Sequence, residues 1–572
     1  MRLDTRVIWL AGLTALPAAL ILAQPRPPLS AADIADIARL VMLEDTRELD
    51  EAAIGQALRS SHAEVRRRAA MAIGRIAKPA GGALLAAPRT DPDPSVVAAV
   101  AFATGQLKDP AAIGWLAGVL TPRKTPDVAK EAARSLGKFG VREARAALAT
   151  YLSGAPDTQA ARPPVGEALL AIGRFPVRED LTPILRWAKS SDAELRWRAA
   201  WALFRPRDPA AVPELLRLSS DSSAEVRFWA MRGLGPIPAG RGARESTPPA
   251  AESSPVDPAR LAARLREGVR DPDRRVRTEA LRALALYDDD ASFKVVMDAL
   301  DANDTWISVS AAEAMGRFQT RASVVLPRLV AAAGTGKPLA LRITALTPLS
   351  ALAPEAALEA AASLAREPSA TARMAARQAL TRLGDAGRAR LDAIVKENPQ
   401  FAASTPAPRP STPAAARTAA DYRQIVERRI VPDYSGAPKP RAILDTPQGQ
   451  IEVELNSGDA PLGVEYFIAV VSSGDIVGTE FGRVVPNFVA QQRAIRPDVR
   501  LRDEVSRLGL LRGTLSWASA GLDTGSPGYT LGSTPQPHNE GNFTALGRVV
   551  AGMDVVDRLE LGDRITGARM KQ

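Results

Sequence analysis

AEVRRRAAMAIGRI, Ala63 to Ile76, places Val65, Ala69, Ala72 and Ile73 on one face of a helix, because apolar side chains at these spacings line up when a turn holds 3.6 residues. The texture returns as PSVVAAVAFATGQL at Val96, PDVAKEAARSLGKF at Val128 and AELRWRAAWALFRP at Leu195. It continues as AEVRFWAMRGLGPI at Val226, RRVRTEALRALALY at Val276, WISVSAAEAMGRF at Ile307 and TARMAARQALTRLG at Ala372, with weaker copies at Pro164 and Leu341. The spacings are 31, 32, 36, 31, 31, 50, 31, 34 and 31 residues. A short polar turn precedes each copy, as at Asp91-Pro92, Ser190-Ser191-Asp192 and Asp271-Pro272, and many copies close on Gly. Such turns supply helix N-caps. A period near 31 leaves room for two helices, and a helix pair that cannot bury its apolar face alone stacks on its neighbours.

This pattern resembles short HEAT repeats, and the resemblance implies an all-α solenoid over 30–235 and 259–396 that serves as a protein-binding scaffold. The 50-residue gap contains PIPAGRGARESTPPAAESSPVDP, residues 236–258, whose composition reads as a flexible insertion. Arg66, Arg67, Arg68, Arg196 and Arg198 have two readings, a basic groove for an acidic partner or a solvated helix face. Trp197, Trp201, Phe228 and Trp229 read as packing between repeats, with an aromatic binding patch as the rival. His62 reads as an exposed turn residue.

Composition excludes several chemistries. The 572 residues contain no Cys and two His, His62 and His538, so disulfides, thiolate catalysis, zinc fingers and histidine metal clusters are ruled out. No cofactor and no metal are expected. The formal charge of +10 is uneven: from Arg441 onward 16 acidic residues outnumber 13 basic ones, so the basic excess lies upstream. Arg2 and Arg6 precede the apolar run Val7–Ala23, which reads as a signal peptide over 1–23. The 17-residue run is short for a membrane span of about 20 residues. The chain is therefore expected to be exported, periplasmic or secreted, touching a membrane only if this segment stays uncleaved. Export argues against a nucleic-acid partner.

A Pro/Ala-rich stretch, 397–437, reads as an extended linker, with a short helix within Asp421–Arg429. Beyond it the texture changes. Ala442–Leu444 and Gln450–Leu455 alternate around Thr446-Pro447-Gln448-Gly449, the pattern of a hairpin. Ala460-Pro461-Leu462 opens an amphipathic helix with Val464, Phe467, Ile468, Val470 and Val471 on one face, and a strand follows at Glu480–Val485. Further short strands suit a small β-barrel over 438–572.

Three segments in this region carry a family resemblance: FGRVVPNFVAQ (Phe481–Gln491), RGTLSWASAGLDTGSP (Arg512–Pro527) and STPQPHNEGNFTALGRVVAGMDVVDRL (Ser533–Leu559). They resemble the signature blocks of the cyclophilin-type peptidyl-prolyl cis/trans isomerases. The resemblance implies a cyclophilin-like barrel with Arg483 and Gln491 as catalytic residues. It also implies that Phe488, Val489, Ala518, Thr530, His538, Asn539 and Phe543 line the substrate groove. Its substrates are proline-containing polypeptides. The chain departs from the family pattern at several places. Gly482 stands for a histidine, Gln492-Arg493 for a glycine pair, Thr530 for a pocket phenylalanine, Asn539 for a leucine and Leu546 for a phenylalanine. The expected function is an isomerase that assists folding of exported proteins, other proteins binding the helical array. The alternative is a non-catalytic scaffold whose altered pocket only holds proline-containing segments.

Overall fold

A computed structural model describes residues 26–120, 125–175, 179–235, 255–397, 401, 417–496, 499–525 and 527–571. The expected signal 1–23, residues 236–254 of the insertion, and 398–400 and 402–416 of the linker lie outside the described residues. Among the described residues, no helix is long and apolar enough to cross a membrane.

Each repeat copy forms a helix: Ala63–Ile76, Pro94–Leu107, Pro126–Leu136, Arg162–Ile172, Ala193–Phe204, Ala224–Gly233, Arg274–Leu284, Thr305–Met315, Leu339–Leu352 and Ala370–Arg382. These ten pack one on the next as a layer of inner helices. Other helices, such as Ile113–Val119 and Val212–Leu218, pack beside them. Asp93, Asp192 and Asp273 cap the starts by accepting from the N–H two residues on, each cap contributing about 1 kcal/mol. The recurrent glycine has a steric cause. A Cβ on Gly105 would lie 2.8 Å from the Ser135 Cα, and one on Gly137 would lie 2.8 Å from the Ala171 Cα. Adjacent inner helices touch backbone to backbone there, and no larger residue fits.

Arg66 and Arg196 form neither an open groove nor a solvated face. Arg66 grips both oxygens of Asp91 at 2.7 and 2.9 Å, and donates to the carbonyls of Ser60 and Ser61. Arg196 does the same with Asp221, Ser190 and Ser191, and Arg227 with Asp271, Asp221 and Ser222. Each bidentate pair ties one repeat's helix to the next repeat's turn. Trp197 stacks on Trp229 at 6.3 Å and Phe228 meets Trp229 edge-on at 4.7 Å. All three rings are buried, which is packing between repeats. His62 is half-buried and caps its helix, its ring accepting from the Glu64 N–H at 3.2 Å.

The C-terminal domain is one antiparallel eight-stranded sheet: β1 Arg441–Thr446, β2 Gly449–Leu455, β3 Phe481–Val485, β4 Val489–Gln492, β5 Thr514–Trp517, β6 Tyr529–Gly532, β7 Ala545–Ala551 and β8 Gly567–Lys571. The spatial order is β3-β4-β6-β5-β7-β2-β1-β8. The ends meet: Glu480 bridges Arg564, and the Phe481 N–H donates to the Asp563 carbonyl at 2.8 Å, which closes the sheet into a barrel. Leu444, Val453, Phe467, Phe481, Trp517, Tyr529 and Leu531 fill it.

The later part of the expected linker is helical. Thr418 and Asp421 form a capping box for helix Ala419–Ile425. Tyr422, Ile425, Val426 and Ile430 bury against helix Ala31–Thr46 and its neighbours. Their helical spacing outweighs the surrounding prolines.

The barrel docks on the inner helices. Arg75 of the array, buried, donates to Glu44 at 2.9 Å, to Asp459 at 3.1 Å and to the Val505 carbonyl at 3.2 Å. Arg134 binds Glu167 at 3.0 Å and the Arg507 carbonyl at 2.7 Å. Further along, Arg274 donates to the Asp557 carbonyl at 2.6 Å, and Thr371 bonds Glu480. The array's inner face thus carries the chain's own barrel from its first repeats to its last.

Candidate functional site

β3 and β4 pair so that Arg483 faces Gln491, Gln491 faces Thr530 on β6, and Thr530 faces Ser516 on β5. Cross-strand partners project to the same side of a sheet, so these four side chains form a row across the barrel's outer face. Arg483 reaches that face through a bulge. The register shifts between Phe481 and Arg483, so the Phe481 ring points into the core, fully buried, while Arg483 stays exposed. A bulge re-aims a side chain in this way.

The Arg483 Nη1 donates to the Gln491 Oε1 at 3.3 Å, and its guanidinium carbon lies 5.2 Å from the centre of the Phe488 ring. Phe488, Gln491, Ala518, Thr530, Asn539 and Phe543 are all half-buried, so the site opens to solvent. Val489 shares the Gln491 side of β4 and is buried, whereas Ala490 points into the core. The hydroxyls of Thr530 and Ser516 lie 2.7 Å apart. Ala518 follows β5, its N–H donating to the Gly528 carbonyl at 2.8 Å. Asn539 donates to Gln536, which donates to the Phe488 carbonyl at 3.2 Å. The one expected groove residue that turns elsewhere is His538. It sits among Arg174, Arg205 and Arg232 of the array and keeps part of its surface exposed. Desolvation first, then those three cations, hold the imidazole well below its ordinary pKa.

Sequence reasoning missed Asn487, the variable position of the signature. Its φ is +60 and it is buried. Its Nδ2 donates to the Glu279 carboxylate at 2.7 Å and the Arg275 carbonyl at 2.9 Å, both in the array. Gly482 also has a reason. A Cβ there would lie 2.7 Å from the Arg493 Cγ, and Arg493 crosses this space to donate to Thr371 of the array at 2.8 Å.

The family model for cyclophilin type peptidyl-prolyl cis-trans isomerase matches residues 442–572. A peptidyl-prolyl cis-trans isomerase of Synechococcus elongatus is 33% identical over 138 residues, 23% of this chain and 95% of its own. The chain belongs to the cyclophilin-type isomerases. Another peptidyl-prolyl cis-trans isomerase, from Helicobacter pylori, is 34% identical over 134 residues, 22% of this chain and 82% of its own. Isomerase B of Bacillus subtilis is 30% identical over 130 residues, 21% of this chain and 91% of its own. The HEAT-repeat model matches 51–122, 82–169, 178–264 and 259–347. The cyclophilin domain is therefore joined to a HEAT array that the three small relatives' matched regions do not include. Among the described residues, no group of His, Asp and Glu is arranged to hold a metal ion.

Proposed function

We propose that the protein isomerises X–Pro bonds of exported polypeptides, with Arg483 as the catalytic donor and Phe488 as the surface under the proline ring. The bond resists rotation by about 18–20 kcal/mol because the amide is conjugated. Twisting breaks that conjugation and returns a lone pair to the nitrogen. A guanidinium placed to donate to this nitrogen stabilises the twisted amide more than the planar one, and so lowers the barrier without a covalent step. The observation that carries this reading is the position of Arg483, held by Gln491 at 3.3 Å and stacked 5.2 Å from Phe488. Gln491, half-exposed, keeps its amide N–H groups for the substrate carbonyl. Val489 and Ala518 flank the ring and the substrate backbone, and Thr530, Asn539 and Phe543 border the groove.

One observation favours the binding-only alternative. The Thr530–Ser516 hydroxyl pair makes one wall polar, and an apolar ring gains less there. Turnover of an Ala-Pro peptide separates the two. The isomerase reading requires that Arg483→Ala lower kcat/KM by about 100-fold, the scale set by loss of one preorganised donor. Equal rates for both proteins, at the uncatalysed level, would leave only the binding function.

The Val7–Ala23 run supports export to the periplasm or beyond, and the HEAT array supports contacts with other proteins on surfaces the barrel leaves open. Fractionation of cells making the tagged chain tests the first point: recovery of the full-length protein only in the cytoplasm rejects it.

A further inference from the structure

Three successive inner helices end in arginines that converge on the barrel: Arg174 beyond Arg162–Ile172, Arg205 and Arg207 beyond Ala193–Phe204, and Arg232 in the last turn of Ala224–Gly233. Helix C-termini favour cations, but these four are crowded together, half-buried, against one edge of the cyclophilin site. Arg174 holds the Pro537 and Glu540 carbonyls, the latter at 2.8 Å. Arg232 Nη1 lies 3.4 Å from the Asn487 carbonyl. The cluster therefore touches both loops that border Phe488, and His538 lies in its midst. The guanidiniums of Arg205 and Arg232 lie over the rings of Trp201 at 5.6 Å and Trp229 at 5.5 Å.

What the cluster lacks is a close carboxylate: Glu279 acts on Arg232, and Glu540 and Glu167 on Arg174, only from a distance. Among the described residues, Arg174 has a distant carboxylate, Glu540 at 4.0 Å, and none stands within ion-pair distance of Arg205, Arg207 or Arg232. The Nε atoms of Arg205, Arg207 and Arg232 are buried and unpartnered. Elsewhere in the array, comparable arginines are matched to an Asp or Glu, as in Arg66–Asp91, Arg196–Asp221 and Arg227–Asp271. Burial and mutual repulsion push Arg207 down to about 10, and Arg205 shifts the same way. Buried cations without counter-ions are unfavourable unless something else supplies the charge.

We infer that this cluster is a carboxylate-binding subsite, and that the isomerase prefers proline-containing segments with an acidic side chain close to the proline. The inference rests on the isomerase reading for where the proline sits, and it adds which sequences are taken. The guanidinium fork suits a carboxylate geometrically, and the Phe488 and His538 loops set the distance between the two subsites.

The test uses the full chain and paired peptides that differ by Glu or Gln at each of the four positions on either side of an Ala-Pro bond. Isomerisation is read by NMR exchange spectroscopy. The expected result is a kcat/KM at least about fivefold higher for Glu at one or two positions, the scale of a single partly exposed ion pair. That preference shrinks as salt is raised and falls toward one in the Arg205→Gln/Arg207→Gln double variant. A ratio near one at every position, with the Gln peptides turned over normally, overturns the inference and leaves the isomerase reading intact. If no peptide is turned over, the isomerase reading fails. Fluorescence anisotropy on labelled pairs then decides the subsite, equal affinities for Glu and Gln peptides rejecting it. Should the double variant not fold, the wild-type ratio is followed against salt instead: a decline toward one supports the subsite, and a ratio indifferent to salt rejects it.

Discussion

The Nδ2 of Asn487, in the barrel, lies 2.7 Å from the carboxylate of Glu279, in the array. The next residue is Phe488, so the loop that carries the proposed floor of the proline site is held from outside its own domain. The array is part of the site's scaffolding.

Asn487→Ala removes both donations to the array and places alanine at a φ of +60, where L-residues other than Asn and Asp are strained. Leaving Glu279 short of a donor costs about 1–3 kcal/mol. The expected outcome is a several-fold rise in KM for proline peptides, with a smaller change in kcat. Asn487→Gly relieves the backbone and still loses the hydrogen bonds, so it should keep most of the defect. Full recovery in the glycine variant would assign the effect to strain alone.

Arg75→Ala should loosen the two domains. The substitution leaves Glu44 buried with its charge uncompensated, and half of the Asp459 pairing lost. Breaking a buried pair by removing one partner costs about 3–5 kcal/mol. Urea unfolding followed by fluorescence should split into two transitions, the barrel separating from the array. A single transition at the wild-type midpoint would contradict this.

Two glycines should respond in opposite ways to alanine. At Gly105 the new Cβ meets the Ser135 backbone at 2.8 Å, so Gly105→Ala forces helices apart, at about 1–3 kcal/mol. At Gly118, within helix Ile113–Val119, nothing lies within 4 Å, and alanine should raise stability by about 0.5–1 kcal/mol through helix propensity. Thermal unfolding of both variants checks the pair.

Glu504 gives a pH prediction. Its oxygens accept from the N–H groups of Leu462 and Gly463 at 3.0 and 2.7 Å. Burial nonetheless raises its pKa from 4.5 to about 7, against the pull of Arg75. A raised folded-state pKa contributes stability that is complete below pH 4.5 and lost as pH climbs through 7. The stability of wild type relative to Glu504→Gln should therefore fall across that window and level off above it. A flat difference would show that folding leaves this carboxyl's pKa unshifted.

The repeats were legible because their causes are local and periodic. Val65, Ala69 and Ile73 announce an inner helix, and Gly105 announces a crossing, within a dozen residues. Arg483, Phe488 and Gln491 were legible as a signature, though the bulge that turns Arg483 outward leaves no mark in residue type. The docking was invisible. Arg75 and Asp459 are 384 positions apart, and Arg75, like Arg66, sits in a basic repeat whose residues read as surface. Nothing in AEVRRRAAMAIGRI distinguishes an arginine that clamps a turn from one that meets another domain. The helix expected within Asp421–Arg429 is there and runs from Ala419 to Tyr434, but its docking on the array through Tyr422, Ile425, Val426 and Ile430 left no mark in the sequence.

The same 384-residue separation sets a timetable for synthesis. A ribosome adding 5–20 residues per second makes Asp459 roughly 20 to 80 s after Arg75. Until then Glu131 and Glu279 on the nascent array lack their barrel partners Arg507 and Asn487. The array must hold its shape through that interval on its Arg–Asp clasps and glycine crossings. The isomerase arrives last, as the piece that dries the face built to receive it.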